Sequence, residues 1–286
     1  MNEARALRAS RPVAGRGIAT LNYAALAILA GACLVPFVWM ALTGLKPDNE
    51  VMANPPTWIP SVFKWSNFAR AFSAFPFARF LANTLWVAVA ATGLQMVTST
   101  LAAYAFARLR FRGRNILFLL YLGTLMIPQQ VTIVPLFLLM RDLGWVNTFN
   151  ALILPGAFSA FGVFLLRQFF LTIPYELEEA ALMDGAVRLR ILWQIIVPLS
   201  RPALATLAVF TFVREWNAFL WPLIVTSSPE KRVVSVGLTL FMGQYGTEWN
   251  LLMAAATVAV LPTILVFVLA QRYFVEGIAL TGFGSR

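Results

Sequence analysis

Residues 172–202 read TIPYELEEAALMDGAVRLRILWQIIVPLSRP, too polar to cross a bilayer and too regular to be an idle linker. Pro174 stands where a first helical turn tolerates proline, because an N–H at that point would have no intrahelical partner. Glu176, Glu178 and Glu179 follow at the positive end of the helix dipole. Gly185 suits the left-handed residue that ends a helix, and a second helix is expected from about Arg188 to Val197, stopping at Pro198. The stretch reads as helix, tight glycine turn, helix. Ala180 and Ala181 give the first helix a small-residue face that another backbone could approach closely, although a plain amphipathic surface helix would show the same pattern.

On either side of this loop lie apolar runs long enough to cross about 30 Å of hydrocarbon, which takes roughly 20 helical residues. Six are expected to span: 18–45, 80–107, 116–140, 151–170, 203–225 and 251–274. Each is far longer than a barrel strand and none alternates with period two, so the fold class is all-α, a polytopic membrane protein with the loop between spans four and five. Composition agrees, at 60% hydrophobic and 12% charged residues and a mean hydropathy of +0.76. That is more apolar surface than a soluble core could bury. No polar stretch is long enough for a separate domain, so residues 1–286 are taken as one transmembrane domain.

The net charge of +10 follows membrane topology rather than nucleic-acid binding, because the basic residues cluster between apolar runs. With the N-terminus in the cytoplasm, Arg5, Arg8, Arg11, Arg16, Arg108, Arg110, Arg112, Arg114, Arg167, Arg188, Arg190, Arg201, Arg272 and Arg286 all fall inside. The outer connections then hold only Lys46, Lys64, Arg70, Arg79, Arg141, Lys231 and Arg232. Both termini are therefore expected in the cytoplasm. The chain has no histidine and one cysteine, Cys33. That excludes imidazole or multi-thiolate metal sites, His-dependent nucleophile sets and intrachain disulfides.

Ala30-Gly31-Ala32-Cys33 faintly resembles a lipoprotein cleavage box, but the apolar run continues to Leu45, so the first span is expected to be retained. Prolines 36, 128, 135, 155 and 262 lie inside spans, and kinks at Pro128 and Pro135 would bend the third around a cavity or serve packing alone. Outside, Trp65, Phe68, Phe72 and Phe75 recur at helical spacing, with Lys64, Asn67 and Arg70 off that face. This reads as a short interfacial helix, either an aromatic anchor or a docking surface.

Glu179-Ala180-Ala181, Gly185, Ile195 and Pro198 fall at the spacings of the cytoplasmic motif of bacterial ABC importer permeases, with Val197 where that motif has leucine. The chain resembles that family over nearly its whole length. Arg167-Gln168-Phe169-Phe170, Asp184-Gly185-Ala186, Trp216-Asn217, Trp221-Pro222 and Gln271-Arg272 with Gly277 point to its carbohydrate-uptake branch, and to the shorter subunits like the second maltose-system permease. The ending 282–286 departs from the family's Gly-Gly-Val-Lys-like tail. The resemblance implies an inner-membrane subunit without catalysis of its own, whose Glu179, Ala180, Ala181, Asp184 and Gly185 couple to an ATPase. It implies a companion permease forming a heterodimer, two ATP-binding subunits, an extracytoplasmic solute-binding protein and a sugar-like solute moved by alternating access. No G-x-x-x-x-G-K-[ST] cradle occurs in the chain, so ATP and Mg²⁺ would reside on the partner ATPase. An ion-gradient-driven transporter is the alternative; it predicts internal repeats and several buried acids.

Arg214 and Glu215 fall near the middle of the fifth expected span, where a charge costs at least about 2.5 kcal/mol. Neighbours on a helix point about 100° apart, so one of the two is expected to pair across helices while the other lines a water-filled path. With Asn217 they are either solute-path residues or structural partners. Gln95, Gln129 and Gln130 are weaker path candidates.

Overall fold

The computed structural model describes residues 14–243 and 246–282. Arg5, Arg8, Arg11 and the tail from Phe283 lie outside the described residues. Apart from a two-stranded hairpin pairing Met242–Gly243 with Gly246–Thr247, the regular elements described are helices. The chain is thus the mostly helical membrane protein expected. Among the described residues four helices are long and apolar enough to cross a bilayer: Ala19–Gly44, Phe77–Arg108, Phe149–Thr172 and Trp249–Gln271. Two bent pairs, Arg114–Met126 with Gln129–Asp142 at 100° and Arg188–Leu199 with Arg201–Trp216 at 82°, bring the number of spans to as many as six.

The bends follow from local chemistry. Proline disfavours the helical region for the residue before it, and Ile127 is extended at φ −85°, ψ 114° ahead of Pro128. Pro135, by contrast, lies inside Gln129–Asp142 without interrupting it. The fourth expected span is a short helix Phe149–Ile153, a 3₁₀ turn begun by Pro155, and a helix Ala160–Thr172 whose first turn is capped by the Ser159 hydroxyl. The fifth, expected over 203–225, ends at Trp216 and resumes as Leu220–Val225. Asn217 occupies the break, and its amide donates to Val213 O at 2.8 Å, taking up a carbonyl of the last turn.

The 77–108 helix is the centre of the bundle, lying against Ala160–Thr172 on one side and Arg201–Trp216 on the other. At one end Tyr104, Phe170, Leu192, Ile196 and Leu207 form a buried cluster that includes residues of the 172–202 loop. At the other end Phe77, Phe80, Val234, Phe241, Leu251 and Ala254 form a second. The first helix, Ala14–Gly44, lies against the last, Trp249–Gly282. A Cβ on Gly44 would stand 2.9 Å from Ala254 N, so glycine is what permits that approach.

The short helix expected between the first two spans forms as Ser66–Ala74. Asn67 and Ala71 are buried while Trp65 and Phe72 are exposed. Asn67 earns its buried place by donating to Gly44 O and Lys46 O at 3.0 and 2.9 Å, closing the end of the first helix. Asn67→Leu should therefore strand two buried carbonyls at a cost of about 1–3 kcal/mol. A clear fall in melting temperature in detergent is expected, with Ser66→Ala, on the exposed side, close to wild type.

Candidate functional site

Two places carry the residues singled out from the sequence: the polar loop at one end of the bundle and a cavity beside Arg214.

In the loop, a helix forms over Glu176–Met183 with its three glutamates in the first turn. It ends in a left-handed Gly185 at φ +80°, with Gly185 N–H bonded to Leu182 O and Ala186 N–H to Ala181 O. That paired closure needs a residue tolerant of positive φ, hence glycine. Glu179, Ala180, Asp184 and Gly185 face outward, while Ala181 packs on the core below. The second loop helix runs from Arg188 through a π turn at Leu192–Ile196 and ends at Leu199, one residue beyond the stop expected at Pro198. Pro198 cannot bond to the carbonyl four residues back and its ring crowds it, and the widened turn just ahead absorbs both effects.

Glu178, read from the sequence only as a dipole partner, is fully buried. Its carboxylate lies 2.9 Å from Arg108 Nε and 3.4 Å from Arg188 Nη1, and accepts from the Tyr104 hydroxyl at 3.2 Å. The other side of the Arg108 fork donates to Phe170 O and Ile173 O at 2.5 and 2.6 Å. Those carbonyls close the 160–172 helix, so one arginine joins three elements. Glutamate at the start of one helix and arginine at the end of another are both visible in the sequence. Their pairing across 70 residues is not.

An open cavity of about 480 Å³ is lined by Gln129, Gln130, Thr132, Pro155, Phe158, Arg214, Glu215, Phe219 and Trp221 among others. Arg214 and Glu215, expected to point apart, are paired at 2.7 Å and line it together. The reach of the arginine side chain and the end of the helix at Trp216 overcome the 100° offset. Arg214 also donates to Gln95 Oε1 at 2.7 Å, and Gln95 in turn donates to Thr211 Oγ1 at 2.9 Å. Gln95 is thus buried in an interhelical network, whereas Gln129 and Gln130 face the cavity. Asn217 is not part of the cavity wall. Among the described residues no group of His, Cys, Asp or Glu could hold a metal ion.

Comparison with known proteins agrees with this arrangement. The family described as "Binding-protein-dependent transport system inner membrane component" matches residues 95–279. The chain is 35% identical over 266 residues to the arabinooligosaccharides transport system permease protein AraQ of Halalkalibacterium halodurans, covering 92% of this chain and 94% of that protein. It is 36% identical to the sulfoquinovosyl glycerol transport system permease protein SmoH of Agrobacterium fabrum, over 92% and 93% of the two chains. It is 38% identical to the sn-glycerol-3-phosphate transport system permease protein UgpE of Yersinia pestis, over 81% and 85%. Among solved structures, a chain of a bacterial ABC transporter involved in import of the acidic polysaccharide alginate superposes with a TM-score of 0.81 at 27% identity, covering 93% of this chain and 99% of that one. With its family match, its full-length relatives and its helical bundle in accord, this chain belongs to the binding-protein-dependent transport system inner membrane components, the permease subunits of ABC importers.

Proposed function

We propose that this chain forms half of the membrane path of an ATP-driven importer for a carbohydrate or a close derivative. A companion permease would complete the path, two ATP-binding subunits would close beneath it, and an extracytoplasmic binding protein would deliver the solute. The chain itself would perform no chemistry, and both termini would lie in the cytoplasm with the 172–202 loop. The three relatives are named for sugars or polyol derivatives, which supports the solute class.

The observation that carries this reading is the outer face of the loop. Met183, Val187 and Leu189 are 89%, 68% and 60% exposed, flanking the Gly185 turn beside acidic Glu179 and Asp184. Large apolar side chains left open on a polar loop mark a surface that another protein covers. Glu179, Ala180, Ala181, Asp184 and Gly185 would seat this turn in the ATPase. Arg214 and Glu215 would border the solute path, with Asn217 closing the helix beside it. Together with Gln129 and Gln130 they offer guanidinium, carboxylate and amide groups suited to hydroxyls, while Phe158, Phe219 and Trp221 offer aromatic surface.

Three outcomes follow. Gentle purification from the native membrane should bring down a second permease and an ATP-binding protein, and Glu179→Lys should release the latter; a chain that emerges alone and drives uptake from an ion gradient overturns the reading. A valine at position 185 is strained at φ +80° by about 1–3 kcal/mol, so Gly185→Val should leave the protein inserted but weaken assembly or uncouple transport. Normal uptake by that variant would count against the docking role. Gln130→Ala removes one or two hydrogen bonds, about 1.5 kcal/mol, and should raise the solute concentration for half-maximal uptake roughly tenfold; an unchanged value takes Gln130 out of the path.

A further inference from the structure

The loop and the cavity are held by the same helix. At its end the 77–108 helix presents Arg108 to Glu178 of the loop. Thirteen residues earlier, about 20 Å away at 1.5 Å per residue, it presents Gln95 to Arg214 of the cavity. The first contact is shielded, with Glu178 fully buried and Arg108 8% exposed; in the second Gln95 is 1% exposed while the Arg214 side chain is 54% exposed toward the cavity. The points where the chain bends lie elsewhere, at the left-handed Gly185 and at the 82° turn between Leu199 and Arg201.

We propose that Glu178 and Arg108 are positioning residues that make the Glu176–Met183 helix one rigid body with the 77–108 helix, so that a push on the loop moves Gln95 and with it the Arg214–Glu215 pair. This rests on the importer reading and adds to it the joint through which the loop acts on the cavity. The geometry supports a stiff joint rather than a loose contact. Arg108 Nε stands 2.9 Å from Glu178 Oε1 as a close ion pair without hydrogen-bond alignment, its Nη2 closes two carbonyls at Phe170 and Ile173, and Tyr104, one turn earlier on the same helix, donates to the second carboxylate oxygen. Rotation of the loop helix against the 77–108 helix would have to break both contacts to Glu178, while the Nη2 bonds hold the Arg108 head in place against the 160–172 helix. A chain of packed groups is not by itself evidence of coupling, so the test must read motion and transport separately.

The assembled complex with its ATP-binding subunits, companion permease and binding protein is reconstituted in liposomes. Cys33, the one cysteine, is replaced by Cys33→Ser, and spin labels are placed at Glu176→Cys in the loop helix and Val97→Cys on the 77–108 helix, both exposed. The expected result is one narrow label distance that a non-hydrolysable ATP analogue leaves unchanged. In Glu178→Gln the distance should broaden or shift with nucleotide, and solute imported per ATP hydrolysed should fall on the order of tenfold, within the usual range of coupling between two sites, while hydrolysis continues. Arg108→Lys, which keeps the charge but loses the planar fork, should act the same way more mildly, and it decides the matter if Glu178→Gln does not assemble. A wild-type distance that changes with nucleotide, or wild-type transport per ATP in the variants, overturns the joint and leaves the importer reading standing. Absence of ATP-driven uptake by the unsubstituted complex removes the importer reading and this inference with it.

Discussion

A break in a helix within a bilayer frees amides and carbonyls that water cannot reach, and each must find a partner inside the protein. This chain breaks its helices repeatedly and places polar side chains at the breaks. Arg108 takes Phe170 O and Ile173 O, Asn67 takes Gly44 O and Lys46 O, and Asn217 takes Val213 O. Near the 3₁₀ turn of the fourth span, Thr98 donates to Ala157 O, and the Trp221 indole donates to Ala151 O. At the end of the bundle away from the 172–202 loop Asn83 donates to Glu230 O and Arg232 O, and the Thr84 hydroxyl accepts from Val234 N–H. Much of the polar content of an otherwise apolar bundle is thus assigned to keeping irregular backbone paired. The cavity exists because the breaks do: Gln129, Pro155 and Phe219 each stand at an interrupted helix and each lines it.

The elements legible in the sequence are those decided locally. Apolar length set the four long helices within a few residues of expectation, because twenty apolar residues have few alternatives in lipid. The glycine turn at 185 was legible too, since only a few residues tolerate a left-handed backbone. The breaks were partly so. Pro128 announced a bend, but nothing near Trp216 signals an end to the fifth helix, because Asn217 completes a turn only through its contact to Val213. Pro198 announced the end of the second loop helix to within a residue, whereas the π turn just before it was not legible.

Partners distant in sequence were not legible. Lys46 was counted with the exposed outer charges, yet it is buried, with its ammonium bonded to Thr57 O and 4.2 Å from the Trp39 ring centroid. Asn67 was placed with the polar residues off the aromatic face, yet it is fully buried. Glu178 looked like one of three equivalent glutamates. All three suit the helix dipole equally, so the dipole does not single one out. Only the fold brings Glu178 to the arginine that ends the 77–108 helix.

The charges that remain inside follow one rule with two strengths. A dry ion pair cannot lose one partner without leaving a buried charge, whereas a wetted pair can part at little cost. Around Glu178 both cases occur on one carboxylate. The Arg108 side chain is 6% exposed at 2.9 Å, while the Arg188 side chain is 40% exposed at 3.4 Å. Arg188 lies beyond the Gly185 turn, and Arg108 lies on the bundle. Loss of Arg108 would therefore leave the Glu178 carboxylate without its buried counter-charge, whereas loss of the half-wetted contact to Arg188 would cost little, so the two arginines on one carboxylate are not equivalent in what they hold.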